Sequence, residues 1–222
     1  MLQRIRELAG QGSNGTLGES DRLIVAQEVN SLRDAIFSLA NTEDESGNFI
    51  FSGTAVEAPA FSKDADGLIA YEGDQNQTSV DISEYRQVSI NRPGDAVFSS
   101  VSRTNDDGDQ EMVSFFTVIS DFVNALESGS ESDLSQGLTE VSVLADEMAL
   151  SLADVGSRMN TVDSQRDILA DAKLRYQELL SNAEDLDYAT AVTKLSAQVL
   201  SLEAAQASFA KISQLNLFNY LR

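Results

Sequence analysis

Apolar residues recur at alternating steps of four and three through Val25, Val29, Leu32, Ile36 and Leu39, the signature of an amphipathic helix with one apolar seam. Ser20 is its predicted N-cap with Asp21 in the first turn, and Asn41 with the polar run 42–48 ends it. Residues 2–9, ahead of it, also read as helical. Phe49, Ile50 and Phe51 then predict a short extended segment leading into a turn at Ser52, Gly53 and Thr54.

The period changes in the middle of the chain. Leu68 to Tyr71, Val80 with Ile82, Val88 with Ile90, and Val97 with Phe98 predict short strands. Asp66-Gly67, Gly73-Asp74 and Pro93-Gly94 mark reversals between them. Both prolines, Pro59 and Pro93, and five of the 13 glycines fall between Gly53 and Gly108. These features predict a small antiparallel β-domain inserted in a helical protein. After the acidic loop 105–111, the helical period resumes at Met112, Phe115, Ile119, Phe122 and Leu126 and closes at Gly129.

The longest periodic stretch follows. Steps of four and three from Leu134 reach Leu138, Val141, Ala145, Met148, Leu152, Val155 and Met159, then Val162, Arg166, Leu169, Lys173, Tyr176, Leu180 and Ala183. All but Arg166 and Lys173 are apolar, so the seam is held over seven heptads and predicts a coiled-coil rod. About 50 helical residues at ~1.5 Å each give roughly 75 Å, too long for a small compact domain. The competing reading is a buried helix in an ordinary bundle. Gly156 marks where the rod would divide in two, because a helix-interior glycine costs up to about 1 kcal/mol relative to alanine.

Residues 189–222 carry only four charges, Lys194, Glu203, Lys211 and Arg222. Val192, Leu195, Val199, Leu202, Phe209 and Ile212 give this segment a wide apolar face, which Leu215, Leu217, Phe218, Tyr220 and Leu221 continue. It is expected to be buried when subunits assemble, against the simpler case of a last helix docked on its own core. The predicted fold is therefore mainly α with a small β insert. Residues 1–54 form the first part of an elongated helical rod domain, 55–111 the inserted outer domain, 112–188 the long rod helices and 189–222 an assembly helix.

Charge and composition narrow the function. The 222 residues hold 36 acidic and 15 basic side chains, for a net charge of −21, which repels nucleic acid and anionic membranes. The longest uncharged stretches, such as 46–56, reach 11 residues, well short of the roughly 20 needed to span a bilayer. Arg4, Arg6 and Glu7 interrupt the start before a secretory h-region can form. With no histidine, cysteine or tryptophan, the chain holds no Ser-His-Asp or Cys-His triad, thiolate or imidazole metal site, or disulfide.

The remaining motifs are incomplete. Gly10, Gly12 and Gly15 spell GxGxxG without a preceding strand and read as a flexible loop. Ser208 and Lys211 match SxxK with no companion strings. Asp64, Asp66 and Gly67 occupy part of a calcium-loop register, but Ser62 and Gly73 stand where the first ligand and the bidentate Glu belong. Asp106, Asp107, Asp109 and Glu111 read as a solvated acidic loop. No catalytic, cofactor-binding or metal-ligating residue is predicted.

Several strings nevertheless occur together and in order. They are Asn14 to Leu17, Leu39 to Thr42, Phe49 to Thr54 and Tyr71 to Asp74, then Val155 to Asn160, Asp185 to Ala189, Leu195-Ser196 and Leu217 to Leu221. In this combination the chain resembles the flagellin superfamily, and within it the hook-filament junction proteins, over essentially its whole length.

The resemblance implies a structural, non-enzymatic subunit of the bacterial flagellum with no cofactor. It implies a helical rod, an outer β-domain, and terminal helices that order on assembly. Implied partners are hook-associated protein 1, flagellin, further copies of the chain in a tube, and an export chaperone at the C-terminal segment, with no nucleic acid or membrane. Export through the flagellar type III apparatus to the extracellular flagellum is also implied. Family members carry a long stretch ahead of the position of Met1, so the chain is expected to be N-terminally truncated. Two other readings stay open: a flagellin filament subunit, and a calcium- or carbohydrate-binding module on the β insert.

Overall fold

The computed structural model describes residues 1–14, 17–105, 108–184 and 187–214. Among these, α1 (Leu2–Gly12) and α2 (Glu19–Ala40) precede β1 (Phe61–Lys63), β2 (Ile69–Tyr71), β3 (Ser79–Ser83) and β4 (Arg86–Ser89). A short α3 (Gly94–Val97), β5 (Val101–Thr104) and β6 (Gln110–Val113) lead to α4 (Phe115–Ser128), α5 (Glu131–Glu184) and α6 (Tyr188–Gln214). Two units divide the chain, Met1–Arg166 and Asp167–Arg222.

In the first unit the core lies where α1, α2, α4 and the start of α5 meet. Val25, Ala26, Val29 and Ile36 on α2 face the fully buried Val118, Ile119, Phe122 and Leu126 of α4, with Ile5 and Leu8 of α1 beside them. Phe116 is the aromatic hub: its ring lies 5.2 Å from Phe61 and Phe115, 5.8 Å from Phe98 and 6.2 Å from Phe37. Each such pair contributes about 0.5–1.5 kcal/mol beyond area burial, so truncating Phe116 would remove more than its own transfer energy. α4 is closed at both ends. Ser114 Oγ accepts the Thr117 N–H at 3.3 Å, and Gly129 takes the left-handed conformation (φ 75°) that ends a helix with least strain.

The strands form three separate antiparallel pairs, β1–β2, β3–β4 and β5–β6. Phe61 and Ile69 of the first pair and Val101 and Val113 of the third are buried in the core shared with the helices. The β3–β4 pair contributes no buried residue and carries a register shift between Asp81 and Ser83.

Several local expectations are corrected. Gly18, not Ser20, is the N-cap of α2, so Ser20 sits in the first turn. Gly10 and Gly12 belong to α1 rather than to a loop; a Cβ on Gly12 would collide with Leu126. Pro93-Gly94 opens α3 rather than a reversal, and Val97 and Phe98 end that helix instead of forming a strand. Met112 lies exposed on β6, and α4 starts only at Phe115, because the apolar run 112–116 fits period two as well as period 3.6. Phe49 makes one antiparallel bridge to Glu43, and the residues after it turn. By contrast α5 runs uninterrupted through Gly156.

Candidate assembly surfaces

One stripe of α5 changes its role along its length. Leu134 and Val141 are buried, and Leu138 and Met148 lie half-buried against the core. Beyond Ser151 the same phase continues through Leu152, Val155 and Met159, which are exposed, with Val162 half-buried. Farther on, in the second unit, Leu169, Tyr176 and Leu180 are also exposed. Leu152 is 72% exposed, a large aliphatic side chain left mostly open to solvent.

α6 begins at a built N-terminus: Asp187 accepts from the Thr190 N–H at 3.1 Å and from its hydroxyl, which holds the carboxyl below its ordinary range. Val192, Leu195, Val199, Leu202, Phe209 and Ile212 are all exposed, Phe209 at 74%. Leu215, Leu217, Phe218, Tyr220 and Leu221 lie outside the described residues. Covering six such side chains, which are 44–74% exposed, gains roughly 5–10 kcal/mol, at about 1.5–3 kcal/mol each scaled by that exposure. That is comparable with the ~4–15 kcal/mol lost in bringing two bodies together.

A third apolar surface lies in the first unit between β4 with the residues following it and α5. Val88 and Ile90 face Val155, Met159 and Val162 across an open groove. Its rim is basic. Arg92 and Arg158 both reach Asp154, at 2.7 and 2.8 Å, and Arg158 also donates to the Ser89 carbonyl at 3.3 Å. Arg166 stands 3.7 Å from Asp163.

The turn strings of the insert act on one another. The Tyr71 hydroxyl donates toward the Phe51 and Asp74 carbonyls at 3.1 and 2.6 Å and accepts from the Gly94 N–H at 3.3 Å. Burial pushes this phenol above its ordinary pKa. Asp74 accepts from the hydroxyl and N–H of Thr54 and from the Asn76 N–H, and these bonds lower its pKa to about 2. Gly53 allows that approach, having φ of 74° and no Cβ to strike Asp74. The calcium-like string is likewise structural: Asp64 Oδ1 accepts from the Asp66 and Leu68 N–H groups and closes the β1–β2 loop. Among the described residues no group of three or more acidic side chains converges as a metal site would.

The sequence pattern leaves Arg103 unmarked and marks Asn41 only as the end of α2, yet both are positioning residues. Arg103 on β5 grips both oxygens of Glu140 on α5, at 2.8 and 2.7 Å, and Asp121 on α4 at 2.7 Å. Burial pushes the Glu140 carboxyl up, but Arg103 and the Gln136 amide outweigh it and hold the group below its ordinary range. The bond to Glu140 in turn raises the guanidinium. Asn41, just past α2, exchanges two bonds with the backbone of Phe61. Neither residue has a periodic signal, because both partners are remote in sequence.

Residues 1–56 match the bacterial flagellin N-terminal helical region. Flagellar hook-associated protein 3 of Escherichia coli K12 is 26% identical over 230 residues, which cover 98% of this chain and 72% of that protein. Flagellin C of Vibrio anguillarum reaches 36% identity over 66 residues, 30% of this chain and 17% of that one. The crystal structure of flagellar hook associated protein-3 from Legionella pneumophila shares the fold, with a TM-score of 0.70 over 84% of this chain and 88% of that one at 17% identity.

Proposed function

We propose that this chain, a member of the flagellin superfamily, is the structural subunit that joins the flagellar hook to the flagellin filament. The observation that carries this reading is the extent of likeness: it runs along nearly the whole chain with hook-associated protein 3, whereas the match to flagellin C spans 66 residues. The subunit is non-catalytic and works mechanically. It belongs to the extracellular flagellum and is exported by the flagellar type III apparatus.

In this reading hook-associated protein 1 lies on one side of the junction and flagellin on the other, with further copies of the chain between. Residues 1–54 and 112–188 form the rod, 55–111 the outward insert and 189–222 the assembly helix, where an export chaperone also binds before assembly. The exposed seam from Leu152 to Leu180 and the α6 face from Val192 to Ile212 are the surfaces buried between neighbours. Their exposure in the single chain is what such surfaces require.

The test is complementation of a bacterium lacking its junction protein. Filaments anchored to hooks, with purified chain retaining hook-associated protein 1, are the expected result. Long filaments formed by the chain alone would replace this reading with the flagellin one. Heat on titration with calcium would favour the binding-module reading of the insert.

A further inference from the structure

The arginine-rimmed groove between β4 and α5 is an unusual place in so acidic a chain. Ile90 is 66% and Met159 62% exposed, so its apolar walls are open to solvent. Arg92 and Arg158 share the single carboxylate of Asp154, which leaves one positive charge over at the rim. Arg166 is solvated and only loosely paired with Asp163. An occupant must therefore be apolar and acidic. The α6 segment fails this requirement, since Lys194, Lys211 and Arg222 outnumber Glu203 across residues 189–222.

The first turns of α2 meet it. Leu23 and Ile24 are adjacent large aliphatic side chains, both exposed, Ile24 at 62%. Glu19 and Asp21 precede them in the first helical turn, and no described ion pair or hydrogen bond engages either carboxylate. The patch thus offers two apolar side chains beside two free negative charges. The groove offers apolar walls beside surplus positive charge.

These two patches cannot meet within one molecule. Arg22, next to Leu23, lays its guanidinium against Gly129 at the approach to α5. Met159 lies nearly eight turns further along α5 than Glu131, about 40 Å at 1.5 Å per residue. We infer that the groove of Val88, Ile90, Val155 and Met159 receives the Leu23-Ile24 turn of a second copy of this chain, with Arg166 and Arg92 facing its Glu19 and Asp21. The pairing rests on the self-assembly in the junction reading. Because it joins different patches on the two copies, it is heterologous: each subunit keeps one free patch of each kind, and the contact propagates into a ring or helix. Neighbours related by it are staggered along α5 by about 40 Å.

The chain has no cysteine, so introduced thiols report single contacts cleanly. Ile24→Cys and Met159→Cys variants of the 222-residue chain, each checked for native helicity by circular dichroism, are oxidised separately and as a mixture. The mixture should give covalent dimer well above either protein alone. Adding Arg166→Glu to the Met159→Cys protein should lower the yield about three- to fivefold, as expected for an exposed charge pair. Adding Glu19→Arg, the residue opposite Arg166, to its partner should restore it. Equal yields in mixed and separate reactions, or loss without restoration, would overturn the pairing. A chain that anchors filaments in the complementation test yet shows no mixed excess removes this contact and leaves the junction reading intact. Mixed excess without anchored filaments does the reverse.

Discussion

Asn41 and Phe61 are joined by a reciprocal pair of hydrogen bonds. The Asn41 side-chain amide donates to the Phe61 carbonyl and its oxygen accepts the Phe61 N–H, both at 2.9 Å. The amide acts as a one-residue strand partner and fixes the start of β1 to the end of α2, with the Phe61 ring in the aromatic cluster.

Replacing Asn41 with Asp keeps the shape but removes the donor, leaving the Phe61 carbonyl facing a carboxylate. We expect about 2 kcal/mol of destabilisation and a Tm lower by about 4–8 °C for a domain of this size. Thermal unfolding followed by circular dichroism checks it. An unchanged Tm would mean that water substitutes for the amide.

Arg103 holds β5 to α4 and α5 through Asp121 and Glu140. Arg103→Met leaves the buried Glu140 carboxylate without its cation and should cost about 3 kcal/mol. Glu140→Gln should cost clearly less, because the amide oxygen still accepts from Arg103. The double variant Arg103→Met with Glu140→Leu should recover most of the loss. Urea titration of the three proteins separates a desolvated charge from simple loss of packing.

Asp74 has a folded pKa of about 2, below the value of about 3.9 in the unfolded chain. Its contribution is therefore fully present above the unfolded value and disappears as pH falls from about 4 to 2. The stability gap between the native chain and Asp74→Asn should be constant above pH 5 and shrink across that window. Melts at half-unit intervals measure the gap directly. A gap independent of pH would show that the Thr54 and Asn76 bonds do not bias the carboxylate.

Leu202 and Phe209 are 59% and 74% exposed on α6. Changing both to Asp should leave helicity unchanged and stability within about 0.5 kcal/mol, while abolishing assembly. Far-UV circular dichroism together with sedimentation of assembled material reads both effects. Loss of helicity throughout the chain would contradict the assignment of this face to neighbours.

The helices were legible where one period persisted: α2, α4 and α5 follow from the spacing of Val25, Phe115 and Leu134 with their successors. The strings Phe49 to Thr54 and Tyr71 to Asp74 stood out as patterns, but only the fold shows that they bond to each other through Tyr71 and Asp74. Phe98 was misread because alternation cannot distinguish a strand from a ring drawn into a cluster by Phe61, Phe115 and Phe116. The bonds of Asn41 and Arg103 were invisible for a different reason. Their energies depend on partners 20 and 37 residues away, which neither propensity nor periodicity encodes. The exposed faces could be identified as apolar but not divided into covered and uncovered lengths, because cover is supplied by other elements.

The stripe along α5 binds two regions of the chain to a single rotational phase. Inserting one residue at Ser151 would turn the side chains from Leu152 to Arg166 by about 100° around the axis while leaving Leu134 and Val141 in place. The core around Leu134 and Val141 would survive, the Arg92–Asp154 and Arg158–Ser89 contacts would be lost, and the outward face would point elsewhere. Seven inserted residues return the face to within about 20°. Single-residue length changes in this part of the helix should therefore disturb the apolar face more than seven-residue ones, and a chain with one inserted residue should keep its core yet be inert toward its neighbours.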